Sequence, residues 1–127
     1  MVPEPGTLDA TATAQNAGER LSEPAVRAVL VCDDGRLVGV ITRKTLVREV
    51  VAGGRDPRLT TAGEIAEPPL YTLDAALSLD DAYRALEEHD LERVPVVEDG
   101  RLVGVLSRSV LQRRLAEDEP PVSQQQV

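Results

Sequence analysis

Apolar and polar positions alternate along this chain in two periods, and the periods switch at regular places. Leu79, Ala82, Tyr83 and Leu86 recur at helical spacing after Ser78, and Asp81 three residues on completes a capping-box pattern. The spacing predicts a helix from Ser78. Val94–Val97 reads as a short strand, with Pro95 suiting an edge or a strand start. Asp99–Gly100 is a two-residue hairpin signal, because glycine accepts positive φ at no steric cost. Leu102–Leu106 is the return strand, and Ser107 caps a last helix reaching Glu117. A short extended segment, Leu70–Leu73, precedes the first of these elements.

The same order appears earlier in the chain. Thr13–Glu23 reads as a helix, Ala28–Cys32 as a strand, Asp34–Gly35 as the turn and Leu37–Ile41 as the return. Thr42 caps a helix that stops before Gly53–Gly54. Arg55–Thr60 reads as a linker and Thr61–Ala66 as one or two helical turns, ended by Glu67-Pro68-Pro69. Residues 7–46 align without a gap on residues 72–111, with 18 of 40 positions identical and DGRLVGV present at 34–40 and 99–105. The chain is therefore an internal repeat of a β-α-β-β-α unit. A unit of about 50 residues buries too little apolar surface to be robust alone. The expected architecture is α+β, in the manner of an α/β sandwich, with two pseudo-symmetric repeats packed face to face. The expected boundaries are 1–54 for the first repeat, 55–66 for a linker with a short helix, 67–117 for the second repeat and 118–127 for a disordered polar tail. Residues 1–6, with two prolines and a glycine, are expected to lack regular structure.

Composition narrows the chemistry. The chain has 127 residues, no Phe, no Trp and two Tyr, so its core must be built from branched aliphatics and alanine. A net charge of −8 argues against nucleic-acid and anionic-membrane partners. No apolar run is long enough to span a bilayer and no signal peptide is read, so a cytoplasmic protein is expected. One Cys and one His preclude a His/Cys metal site, and no nucleophile–base pattern is present, so neither a metal nor an enzymatic activity is expected. Cys32 reads as a small core residue, and His89 as a cation at a helix C-terminus.

The segments RVPVVEDGRLVGVLS at 93–107 and AVLVCDDGRLVGVIT at 28–42 resemble the core of the cystathionine-β-synthase (CBS) domain family, and the two repeats resemble a tandem CBS pair, or Bateman module. The resemblance covers residues 7–117. It implies a regulatory binding module that takes AMP, ADP, ATP or S-adenosylmethionine in the cleft between repeats, forms a homodimer and acts on a partner protein. Members that bind nucleotides carry Gly-h-h-Thr/Ser-x-x-Asp after the return strand, the Asp holding the ribose. Here Thr42 and Ser107 keep the hydroxyl position, while Thr45 and Val110 stand in place of the Asp. The candidate ligand residues implied by the resemblance are Leu30 and Pro95 at the adenine slot, Thr42, Thr45 and Ser107 at the sugar and phosphate, Arg43 and Arg108 at the phosphate, and Tyr71 stacking on the base. The loss of both Asp residues leaves an alternative open, a ligand-free structural or interaction module of the same fold.

Overall fold

The computed structural model describes residues 6–69 and 71–117. The expectations for residues 1–5, Leu70 and the tail at 118–127 lie outside the described residues. The chain separates into two compact units. The larger holds the described residues up to 69 together with the second hairpin tip, Asp99–Leu102. The smaller holds 71–98 and 103–117.

In the larger unit the elements are β1 (Thr7–Asp9), α1 (Ala14–Leu21), β2 (Ala28–Asp33), β3 (Arg36–Thr42), α2 (Arg43–Leu46), a π-helical turn (Val47–Val51) and α3 (Ala62–Ile65). β2 is the middle strand, parallel to β1 and antiparallel to β3. The β2–β3 register shifts between Val31 and Cys32, so Val38 is the extra residue of a bulge. Ala14, Ala17 and Leu21 of α1 recur every three or four residues and are buried against Val29, Val31 and Ile41. Thr13 caps α1 through a reciprocal box with Asn16. Gly6, expected to be irregular, is buried in a turn, and its carbonyl accepts the Leu30 N–H at 2.9 Å.

The segment between the repeats is part of this core. Ala62 and Ile65 are buried in it, and Ala62 N and Gly63 N donate to the carbonyls of Ala12 and Ala10. Residues 66–67 then lie along β3, where Val40 and Glu67 exchange backbone hydrogen bonds of 2.7 and 2.9 Å. A Cβ on Gly39 would stand 2.6 Å from the Ala66 Cβ. Gly39 is thus explained by close approach of the chain itself.

The continuous helix expected from Thr42 to Gly53 is instead α2 followed by the π-helical turn, in which Ala52 N donates to the Val47 carbonyl at 2.8 Å. Four of the nine residues at 43–51 are β-branched, three valines and Thr45, and such side chains fit poorly against a preceding α-turn. The wider turn buries Val50 and leaves Val47 and Val51 exposed.

The smaller unit repeats the plan with β4 (Leu73–Asp74), α4 (Leu79–Glu88), β5 (Arg93–Glu98), β6 (Arg101–Ser107) and α5 (Arg108–Glu117). β5 is the middle strand, between β4 and β6. Pro95 therefore stands in a central strand, as its third residue, not at an edge. Its consequence is local. Leu30, the matching residue of the first repeat, pairs with Thr7, but Pro95 has no N–H to offer. β4 pairs only through Leu73–Val96 and Asp74–Val97, one residue shorter than β1. Ala82, Leu86, Val94 and Leu111 form the core of this unit, with Leu73, Tyr83, Leu91, Leu106 and Leu115 packed around them.

Candidate functional site

Each repeat brings its return strand to an end on a hydroxyl residue that starts a helix. In the first repeat Thr42 closes β3 in extended conformation and caps α2. Its Oγ1 accepts the Thr45 N–H at 3.3 Å, and its own N–H donates to Thr45 Oγ1 at 3.0 Å. The two hydroxyls stand 3.0 Å apart. Thr45 is fully buried. Its hydroxyl is thus enclosed in a capping box, a polar group satisfied inside the protein. Arg43, exposed at the helix start, donates from Nη2 to the Glu23 carbonyl at 2.9 Å, which ties α2 to the chain leaving α1. Leu30 is buried in β2, directly across from Val40 and two residues from the Ala28–Thr42 pair.

In the second repeat Ser107 Oγ accepts the Val110 N–H at 3.2 Å. Val110, at the place of Thr45, is 43% exposed and returns no bond to the cap. Arg108 is half-buried, its guanidinium 3.6 Å from Asp90 and 3.7 Å from Glu92, and its N–H donates to the Glu92 carbonyl at 2.7 Å. Ion pairs with carboxylates this exposed are worth about 0–1 kcal/mol each, so they orient Arg108 more than they stabilise the fold. Pro95 lies between the buried Val94 and Val96. Tyr71 stacks on His89, ring centroids 4.2 Å apart at 28°. His89 is the C-cap of α4, as its place after the helical pattern predicts.

The geometry therefore assembles Thr42, Arg43 and Thr45 at one junction and Ser107 and Arg108 at the other. Glu23, Asp90 and Glu92, the partners of the candidate arginines, carry no motif that a sequence reading singles out. Asp90 alone left a trace, in the Glu-Glu-His-Asp run that ends α4, where it adopts a φ of 52°. Among the described residues no three His, Cys, Asp or Glu side chains converge on a common point. No described helix is long and apolar enough to cross a membrane.

Known proteins place this geometry. The CBS domain model matches residues 1–52 and 62–117. Hypoxic response protein 1 of Mycobacterium tuberculosis is 37% identical over 102 residues, spanning 80% of this chain and 71% of the relative. The CBS domain-containing protein YhcV of Bacillus subtilis is 28% identical over 107 residues, spanning 84% and 76%. A crystal structure of Hypoxic Response Protein I with two coordinated zinc ions superposes with a TM-score of 0.71 at 32% identity, covering 90% of this chain and 94% of that one. A structure of CBSX2 in complex with AMP gives a TM-score of 0.64 at 27% identity, covering 87% of each. With two matched copies of the family's model and the repeat geometry that goes with them, this chain belongs to the CBS-domain family as a tandem pair.

Proposed function

We propose that this CBS pair is a cytoplasmic regulatory module, not an enzyme, which takes an adenosyl ligand (AMP, ADP, ATP or S-adenosylmethionine) and passes its occupancy to a partner protein. The observation that carries the reading is the placement of Thr42 and Ser107, each a capping hydroxyl where a return strand meets a helix. The similar CBSX2 is solved in complex with AMP, which supports a nucleotide as the ligand. In this reading Thr42 and Arg43 face the phosphate of one ligand and Ser107 and Arg108 that of a second. Leu30 and Pro95 border the base, and Tyr71 adds a ring to it. Thr45 acts through Thr42, by fixing the hydroxyl it holds. Arg43 gives up the Glu23 carbonyl when it turns to a phosphate.

A thermal-shift series with the four ligands, followed by calorimetry, tests this. Ligand at about 100 times its dissociation constant stabilises a fold by about 2.7 kcal/mol, several degrees for a chain of this size. We expect a saturable rise with at least one adenosyl ligand, weakened at least tenfold by Arg43→Ala. A flat response at millimolar ligand overturns the reading.

A second reading has its own observation. Val51 is exposed on the wall of an apolar concavity of about 450 Å³ that Ala14, Leu46, Val50 and Pro57 also line. In this reading that concavity is the contact face for a second copy. Under this reading the chain is a homodimer through that face and serves as an interaction module without a ligand. Sedimentation then gives twice 13.7 kDa, and Val51→Asp returns the monomer mass.

A further inference from the structure

The DGRLVGV string that both repeats share brings two arginines face to face. Arg36 lies directly opposite Arg101 in an antiparallel bridge. The hydrogen bonds flank the pair: Leu37 N donates to the Gly100 carbonyl at 3.1 Å and Leu102 N to the Gly35 carbonyl at 3.0 Å. The two arginines are therefore a non-hydrogen-bonded pair, the kind whose side chains rise closest together on one face. Like charges so placed repel.

Nothing near them relieves this. Arg36 and Arg101 are both exposed, and among the described residues neither guanidinium lies within 4 Å of a carboxylate oxygen. Asp33 stands across from Arg36 in the β2–β3 ladder without closing an ion pair on it. Asp34 and Asp99 occupy the first turn positions, at φ 52°. Arg43 and Arg108, by contrast, both hold protein oxygens.

Each guanidinium lies over the turn glycine of the opposite hairpin. A Cβ on Gly35 would stand 2.5 Å from Arg101 Nη2, and one on Gly100 would stand 2.6 Å from Arg36 Nη2. Each turn glycine thus gives its open face to the opposite arginine. Two such forks, exposed and without a carboxylate partner among the described residues, offer charge-assisted hydrogen bonds to oxygens that carry charge.

We infer that the paired hairpin tips are an anion site for a phosphoryl group of two or more negative charges, chelated by Arg36 and Arg101. A phosphoryl group of two charges gains about twice what a monoanion gains from the same two arginines. The site is separate from the strand–helix junctions and does not depend on the adenosyl reading. Phosphoryl oxygens of this charge are found on free pyrophosphate and on nucleotide tails alike.

Calorimetry on the full chain with inorganic pyrophosphate at low ionic strength tests the inference, with ATP, adenosine and acetate as further arms. We expect saturable pyrophosphate binding and none of adenosine or acetate at this site. Arg36→Ala and Arg101→Ala each weaken pyrophosphate at least tenfold, and the double variant, its fold checked by circular dichroism, abolishes it. Arg36→Lys with Arg101→Lys retains part of the affinity, since ammonium groups keep the charge but lose the fork. ATP that binds in parallel with pyrophosphate across these variants identifies the nucleotide tail as a source. ATP that binds the double variant undiminished reports the junctions instead, leaving free polyphosphate as the source here. Absence of saturable pyrophosphate binding to the unmodified chain, or equal binding by the folded double variant, overturns the site.

Discussion

Thr45 and Val110 show how one side chain divides two equivalent junctions. Thr45 closes a box that satisfies two backbone N–H groups with two hydroxyls, while Ser107 satisfies one and Val110 none. Thr45→Val keeps the volume but removes the bond to Thr42 N. It is expected to cost about 1–2 kcal/mol in denaturant unfolding, whereas Val110→Thr, at an exposed position, changes stability by less than about 0.5 kcal/mol. Equal effects would remove the distinction. Cys32 offers a second residue-scale test. Partial burial, and then the charge of Asp9 across the β1–β2 ladder, push its thiol up, so the uncharged form dominates at neutral pH. A thiol raised on folding adds stability below its ordinary value and loses it as pH climbs through the folded one. Asp9 goes the other way, held low by the backbone and hydroxyl of Thr11. Its stabilising share is present above the ordinary carboxylate value and fades as pH falls through the lowered one. Disulfide-exchange labelling of Cys32 at pH 8 is expected to be slow and to quicken in Asp9→Asn. No change in rate would show that burial alone sets the thiol. The hydroxyls at Thr42 and Ser107 were legible because capping follows local spacing. The partners of Arg43 and Arg108 were not, because Glu23 and Asp90 reach them through the fold.

At the level of elements, repetition made most of the plan readable, and the departures have local causes. The hairpins at Asp34–Gly35 and Asp99–Gly100 are where turn chemistry puts them, with glycine φ of 82° and 80°. The helix after β3 departs because its valine run favours a wider turn, which periodicity does not register. β4 departs because Pro95 removes one donor. Pro95→Leu is expected to lengthen β4 by the pair Thr72–residue 95, seen as slowed exchange of the added amide and an unchanged fold. An unpaired residue-95 amide in the variant would place the cause elsewhere. Gly39 records a third effect, a seam between β3 and residues 66–67. Gly39→Ala drives a Cβ against the Ala66 Cβ and the Glu67 carbonyl, and overpacking of this kind costs about 1–3 kcal/mol. Thermal melting is expected to fall by several degrees; a variant as stable as the parent would show that the seam slides open freely. The short helix at 62–65 was visible as a pattern. Its place in the larger unit's core was not, since nothing in four residues says which repeat they pack on.

Across the molecule, two repeats identical at 18 of 40 aligned positions build cores of unequal weight. The first gathers nine buried apolar residues, among them Ala62 and Ile65 from the segment between the repeats. Among the described residues the second cluster gathers four, and Leu77, Leu79, Val103 and Val110 stand exposed. Buried apolar area supplies most of a small unit's stability, at about 25 cal/mol per Å². The smaller unit should therefore open first. Native-state hydrogen exchange reads this directly, because local opening reports the free energy of each cooperative region. The amides of Val29, Val31 and Ile41 are expected to exchange through the rarest opening, and those of Val94 and Leu86 through a commoner one. Leu86→Ala removes a buried side chain from the weaker core at a cost of about 2–5 kcal/mol. It is expected to release α4 and β5 while β2 and β3 keep most of their protection. If both sets of amides instead fell together by the same amount, the two cores would open as one cooperative body, and the inequality of their packing would have no consequence for stability.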